Sequence, residues 1–322
     1  MNASPEDVVV RVEALTKRFA GTVALDRASF NVMRGEVFGL VGPDGAGKTT
    51  AMRMLAGVMR PDSGSIVIEG VDGVGEPELL RQRVSYMPQR FALYEDLTVE
   101  ENIRFYADVF ETPRAQREAR GARLLAASGM SAFRDRLAGQ LSGGMKQKLG
   151  LTCALIHAPK VLLLDEPTTG VDPVSRRDFW RILFSLREEG VTILISTAYL
   201  DEAERCTRLA LLHRGALRYC EAPDALRRRL PGFLVRVVAN QGDRVRDVIA
   251  AMPGVTSVRV VGDGARAIVD DARARIPEIE SRLAARAVPF ERILPESVSI
   301  EDVFVTLLQA GTRAGERLTE PP

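Results

Sequence analysis

The residues with the plainest chemistry are Gly42-Pro43-Asp44-Gly45-Ala46-Gly47-Lys48-Thr49-Thr50, which satisfy G-x-x-x-x-G-K-[ST] with Gly42, Gly47, Lys48 and Thr49 at the demanded positions. Such a loop wraps phosphates: the glycines let the backbone turn its N–H groups onto the anion, Lys48 reaches the outer phosphates, and the Thr49 hydroxyl can ligate Mg²⁺. The flanks agree with this reading. Val37 to Val41 is an apolar run that reads as a buried strand, and Thr50 to Val58 reads as a helix, so the loop lies where a helix N-terminus favours negative charge.

A second group closes the apolar run Val161 to Leu164, namely Asp165-Glu166. Ligands of a parallel α/β sheet gather at the carboxyl ends of its strands. There Asp165 can hold Mg²⁺ through water and Glu166 can polarise an attacking water. Alone, acids ending a strand mean little; joined to the upstream phosphate loop they point to phosphoryl transfer. Gln89 leaves the strand Val84 to Met87 after Pro88, and its amide could ligate Mg²⁺ or orient a water, an ordinary loop glutamine being the competing reading. Phe19, just ahead of a glycine turn, either stacks on a purine or belongs to the core. Ser142-Gly143-Gly144 opens a helix from Met145 to His157. Ser142 suits an N-cap and the glycines leave backbone donors uncovered, so this is a second potential anion site or a simple helix entry.

The elements that must position these residues can be read from period and punctuation. Strands are expected at Val8 to Leu15 and Ser29 to Val32 ahead of the phosphate loop, then at Ser65 to Ile68 after the turn Pro61-Asp62-Ser63-Gly64. Thr98 to Arg136 is helical and amphipathic, an insert in the α/β pattern. After Asp165 come the loop Thr168 to Pro173 with Asp172, a helix Val174 to Glu189, a buried strand Thr192 to Ser196, a helix Asp201 to Thr207, and a hairpin turning on Arg214-Gly215.

Bulk properties narrow the classes. The 322 residues suit about two domains; 46% are hydrophobic, 27% charged, and the net charge is +1. That balance argues against broad electrostatic binding of nucleic acid. No apolar run approaches the ~20 residues that span a bilayer, and Met1 to Asp7 is polar, so a soluble chain without a signal sequence is expected. Cys153, Cys206 and Cys220 lack metal-ligand spacing and read as buried free thiols of a reducing cytoplasm.

Taken together, these motifs resemble the nucleotide-binding subunit of ATP-binding cassette (ABC) transporters over roughly Val8 to Pro223. In that comparison Gly42 to Thr50 is Walker A and Val161 to Asp165 is Walker B. Leu141-Ser142-Gly143-Gly144-Met145 looks like the family signature, Gln89 like the Q-loop residue, Asp172 like the D-loop residue and Phe19 like the adenine-stacking aromatic. The resemblance implies an α/β P-loop NTPase cassette over residues 1–225, with a RecA-like core, an antiparallel β subdomain and a helical subdomain at about 96–140. It also implies ATP and Mg²⁺ as cofactors. Gly42 to Thr50, Phe19, Ser142, Gly143, Gly144 and Asp172 would bind nucleotide, Thr49, Gln89 and Asp165 the metal, and Lys48, Gln89 and Glu166 would carry catalysis. In such proteins two cassettes face each other, each ATP lying between one Walker A and the other's signature, so a second cassette and a membrane permease are the implied partners. The chain would then sit in the cytoplasm, held at the inner face of the membrane through the permease. One departure stands out: the family usually has His after the strand that follows Walker B, and Ala198 occupies that place in Ser196-Thr197-Ala198-Tyr199. Slow turnover, compensation by Tyr199 or Thr197, or pairing with a second competent cassette are the alternatives. The remaining histidines cannot fill the slot, His157 being read as structural and His213 as part of the later hairpin.

Beyond Pro231-Gly232 the order βαββαβ suggests a small ferredoxin-like α+β domain over residues 231–314, an irregular extension on the cassette being the alternative. Ser299 to Phe304 begins a final helix, and 315–322 reads as a frayed tail. This part resembles the C-terminal domains of ABC-2-type drug and polysaccharide exporter ATPases, with a dimer-stabilising or regulatory role implied. The expected function is therefore an ATPase subunit powering a separate exporter permease. A weakly hydrolysing nucleotide-binding subunit, motivated by Ala198, and a soluble ABC ATPase outside transport are the alternatives.

Overall fold

A computed structural model describes residues 7–90, 92–230 and 232–306. The chain divides into two compact units, residues 1–223 and 224–322.

The first unit is built on a ten-stranded sheet. Its strands are β1 (Val8–Phe19), β2 (Thr22–Met33), β3 (Val37–Val41), β4 (Ser63–Ile68), β5 (Val71–Asp72), β6 (Val84–Met87), β7 (Val161–Asp165), β8 (Thr192–Thr197), β9 (Arg208–His213) and β10 (Ala216–Glu221). They lie in the order β5-β4-β1-β2-β10-β9-β3-β8-β7-β6. From β9 to β6 every pair is parallel, while β4, β1 and β2 are antiparallel. β3, β7 and β8 are buried at every position, which is what a sheet covered on both faces requires and why these strands read as unbroken apolar runs. Because the register pairs Val41 with Thr197, Ser196 with Asp165 and Leu164 with Met87, the carboxyl ends of four adjacent strands finish side by side.

Helices α1 (Lys48–Leu55), α2 (Pro77–Arg83), α3 (Val99–Val109), α4 (Arg114–Ala127), α5 (Gly143–Leu155), α6 (Pro173–Glu188) and α7 (Leu200–Ala203) complete the unit. α3, α4 and α5 share a separate apolar cluster of Val99, Ile103, Ala107, Leu125, Leu149 and Cys153. α3 opens on a capping box, in which the Thr98 hydroxyl accepts from Glu101 N and the Glu101 carboxylate accepts from Thr98 N at 2.8 Å.

Several boundaries differ from the sequence reading. β1 runs on through Phe19 instead of ending at Leu15, and β2 starts at Thr22 instead of Ser29, so the segment read as a connection is the end of a hairpin of two twelve-residue strands. Ala14 and Arg27, at φ 48° and 45°, mark irregularities in that ladder which break the strict alternation the reading relied on. The helix expected over Asp201 to Thr207 is only the single turn α7. The hairpin at Arg214-Gly215 is present, with φ of 49° and 77° at its two turn residues, as a primed two-residue turn needs.

The second unit holds β11 (Phe233–Val238), β12 (Val255–Val261), β13 (Gly264–Val269) and β14 (Arg292–Glu296). With α8 (Pro223–Arg228) ahead of them, α9 (Gly242–Ile249) and α10 (Ala272–Ala285) supply the crossovers. The strand order β12-β13-β11-β14 with antiparallel neighbours is that of a split βαβ ferredoxin-like sheet. Its last strand begins at Arg292, and Val288 packs its side chain in the core from the preceding loop. α8, starting at Pro223, was not anticipated. Residues 300–306 are helical, and Ser299 and Asp302 cap them reciprocally through Asp302 N to Ser299 Oγ at 3.2 Å and Ser299 N to Asp302 Oδ2 at 3.1 Å. The tail read over 315–322 lies outside the described residues.

At the head of α10, Arg275 forks onto Asp270, Nε donating to Oδ1 at 2.8 Å and Nη2 to Oδ2 at 3.0 Å, and these bonds hold the Asp270 carboxyl down at about 2. A lowered folded value means that the contribution to stability is complete above the unfolded value, about 3.9, and is lost as pH falls towards 2. In an NMR titration, Asp270 should have its midpoint near 2, and Arg275→Gln should return it towards the ordinary aspartate range of about 4.

Candidate nucleotide site

The parallel ladder brings the loop after β3, Gln89 after β6, Glu166 after β7 and Ala198 after β8 to one cleft of about 630 Å³. Its lining includes Phe19, Asp44 to Thr50, Gln89, Glu166, Thr169, Ala198 and Tyr199. Phe19, at the end of β1, is 45% exposed, so it is a cleft wall and not core. The Lys17 ammonium stands 5.6 Å from its ring centroid, and Lys17 is itself tied to Asp62 at 2.8 Å.

The loop from Gly42 to Gly47 is shaped by its surroundings. Gly47 has φ 105°, and a Cβ there would stand 2.2 Å from the Ala24 carbonyl, so no side chain fits. The hairpin tip between β9 and β10 braces the loop from the other side, with Gly215 N donating to Ala46 O at 3.1 Å. α1 then starts at Lys48 with no side-chain cap, leaving the backbone donors of its first turn to face an anion.

Lys48 is 4% exposed. Its ammonium donates to Gly42 O at 2.8 Å and Pro43 O at 3.0 Å and pairs with Glu166 Oε1 at 3.0 Å. The other Glu166 oxygen accepts from Gln89 Nε2 at 3.0 Å and from the Thr169 hydroxyl at 3.4 Å. Glu166 sits at φ 47°, a strained conformation for a non-glycine residue, and Ser196 receives its N–H, at 3.0 Å on the side chain and 3.1 Å on the carbonyl. Asp165 is almost fully buried and accepts three hydroxyl bonds: Thr49 at 3.1 Å, Ser196 at 2.6 Å and Tyr86 at 3.2 Å. Burial and the neighbouring Asp165 charge push the Tyr86 phenol up to about 12, so it remains the donor in that contact.

Magnesium ions keep several waters and take few protein ligands beside substrate phosphates. A single buried carboxylate beside the Thr49 hydroxyl fits that habit, and among the described residues no cluster of three or more His, Cys, Asp or Glu suits a metal that needs an all-protein cage.

The structure thus gathers Phe19, Lys48, Thr49, Gln89, Asp165 and Glu166. It does not bring Ser142, Gly143, Gly144 or Asp172 into the cleft lining. Ser142 caps α5 through Met145 N at 3.4 Å, and Gly143 has open space where a side chain would stand. Gly144 lets α5 approach α6, a Cβ there falling 2.4 Å from Ser175 Oγ. Asp172 caps α6 by accepting from Val174 N and Ser175 N at 3.0 and 2.9 Å, and Ser175 above all lowers its pKa. His157 is structural, as expected, stacking on Phe110 at 3.8 Å, and burial pushes its imidazole down to about 4. Cys153 and Cys206 are buried free thiols and Cys220 is half-buried.

Tyr86, Thr169 and Ser196 were not singled out from sequence. Ser196 is the register partner of Asp165, a relation that only the order of the strands reveals.

The fold and this cleft define a P-loop nucleotide-binding cassette. Residues 25–169 match the ABC transporter family. The Nod factor export ATP-binding protein I of Ralstonia nicotianae is 34% identical over 93% of this chain and 93% of its own length. The daunorubicin resistance ATP-binding protein DrrA2 of Streptomyces coeruleorubidus is 34% identical over 92% and 94%. A probable multidrug ABC transporter ATP-binding protein of Escherichia coli, YbhF, is 43% identical over 95% of this chain, which spans only 53% of that longer protein. Among solved structures, an ATP-binding subunit of an ABC transporter superposes with a TM-score of 0.63 at 32% identity, covering 69% of this chain and 92% of the other. A bacterial ABC transporter cassette solved as a dimer gives 0.61 at 25% identity, covering 66% and 98%. The chain belongs to the ABC transporter ATP-binding family.

Gly144→Ala should force α5 and α6 apart and destabilise the first unit by roughly 1–3 kcal/mol, the usual cost of overpacking. Denaturant unfolding checks this, and adding Ser175→Gly should recover part of the loss.

Proposed function

We propose that this chain is the ATP-hydrolysing subunit of an exporter, binding Mg²⁺·ATP in the cleft and working on a separate membrane permease together with a second cassette. The observation that carries the reading is the shared contact at Lys48, where one buried ammonium joins the phosphate loop to Glu166. Phosphate oxygens entering the loop compete with Glu166 for that ammonium. Glu166, released from Lys48, is then free to accept a proton from water, with the Gln89 amide and Thr169 hydroxyl beside it to hold that water in line. Thr49 and Asp165 would hold Mg²⁺, which supplies charge neutralisation on the phosphates when bound. Phe19 offers a half-exposed aromatic face for the adenine.

Two cassettes are part of this reading because the signature residues Ser142 to Gly144 stand outside their own chain's cleft, with Gly143 uncovered at a capped helix start. The uncovered backbone donors there suit an anion brought by a facing cassette. No helix among the described residues is long and apolar enough to cross a membrane. The names of the relatives, which refer to multidrug, Nod factor and daunorubicin resistance proteins, favour export of an amphipathic or hydrophobic substrate. Through the permease the chain would lie at the cytoplasmic face of the membrane. The ferredoxin-like unit is assigned to stabilising or regulating the pair.

Steady-state hydrolysis and nucleotide titration of the purified chain test this. Glu166→Gln should cost about 10²-fold or more in kcat, in the range of a lost transition-state group, while nucleotide binds at least as tightly because a competing charge at Lys48 is gone. Lys48→Ala should abolish binding. Hydrolysis by Glu166→Gln at the wild-type rate would refute the assignment.

A further inference from the structure

Besides the phosphate loop, the cleft is lined by Gln89, Glu166, Thr169, Ala198 and Tyr199. Thr169 gives its single hydroxyl proton to Glu166, and Gln89 gives one of its two amide N–H groups to the same carboxylate. Ala198 offers only a methyl group. Thr197, immediately before it, is 1% exposed and donates its single hydroxyl proton to Glu202 Oε2 at 2.7 Å, so it has none left for a ligand. Among the described residues the Tyr199 hydroxyl has no hydrogen-bond partner.

Tyr199 is also unusually well held. Its N–H donates to Thr197 Oγ1 at 2.9 Å, and its ring lies against Arg176 with the guanidinium carbon 4.1 Å from the centroid. Both supports converge on Glu202. This carboxylate is fully buried and accepts from Thr168 Oγ1 at 2.5 Å as well as from Thr197, and Arg176 lies 3.8 Å from its Oε1 and 3.6 Å from Asp201 Oδ2. A buried charge with these partners is costly to disturb, so it fixes the turn after β8 against the loop after β7 and against α6.

We propose that Tyr199 is a further catalytic residue, its hydroxyl donating to the terminal phosphate oxygens where Ala198 contributes nothing, and that Glu202 is the positioning residue that sets its aim. This rests on the ATPase reading above. A donor directed at charge that develops in the transition state acts on kcat more than on binding.

The test is kinetics of the full chain as wild type, Tyr199→Phe, and Tyr199→Phe combined with Ala198→His, with ADP affinity measured separately by fluorescence. Tyr199→Phe keeps the ring on Arg176 and removes only the hydroxyl; it should lower kcat about tenfold or more, with KM for ATP and ADP affinity within about twofold. The imidazole supplied by Ala198→His in the double variant should restore much of the lost rate. A Tyr199→Phe enzyme with kcat within about twofold of wild type overturns the proposal while leaving the ATPase reading intact. So does a loss confined to KM, which would make Tyr199 a binding contact only. If wild type binds nucleotide yet hydrolyses no faster than Glu166→Gln, the ATPase reading itself fails, and this proposal with it.

Discussion

Everything in the nucleotide cleft turns on one buried positive charge. Lys48 is removed from water and must be compensated, and the structure does so with two loop carbonyls and one carboxylate. The carbonyls keep the phosphate loop wrapped around the ammonium. The carboxylate links that loop to the end of β7, so the residue that would bind phosphate and the residue that would activate water are coupled through a single atom. Glu166 accepts a strained backbone to reach it, and Ser196, Gln89 and Thr169 hold it there.

Around this pair the sheet edge behaves as a rack. The parallel register sets the ends of β6, β7 and β8 side by side, and the buried Asp165 of β7 ties Tyr86 of β6, Ser196 of β8 and Thr49 of α1 together through hydroxyl bonds. Behind the rack, Glu202 performs the equivalent task for the loops after β7 and β8. Two buried carboxylates therefore organise the cleft from below, while the groups that would meet substrate stay at its surface. Such satisfied polar networks favour one arrangement over near alternatives.

Much of this was legible in the sequence, for reasons that differ by element. The phosphate loop, Asp165-Glu166 and the buried strands β3, β7 and β8 are local signals, a spacing or an unbroken apolar run, and they appeared where expected. The β1–β2 hairpin was read too short because positive-φ residues at Ala14 and Arg27 interrupt its alternation. Phe19 therefore reads as part of a connection in sequence, while in the fold it ends β1 and lines the cleft. Tyr86, Ser196 and Glu202 were missed because their importance comes from which strand or loop lies next to theirs, and strand order is not written in any local pattern. Glu202 in particular sits in a polar stretch whose four-residue helix gives no hint that one of its acids is fully enclosed.

The position of β3 has a consequence for how the molecule is made. The phosphate loop is encoded before residue 50, yet its strand is flanked by β8 and β9, and its backbone is braced by Gly215 at the tip of the β9–β10 hairpin. A nascent chain on the ribosome therefore carries the most recognisable motif of the protein for some 165 residues before the groups that shape it have emerged. Until then the loop lacks the brace that Gly215 supplies. The fully braced phosphate loop is therefore a property of the completed first unit, not of the segment that encodes it.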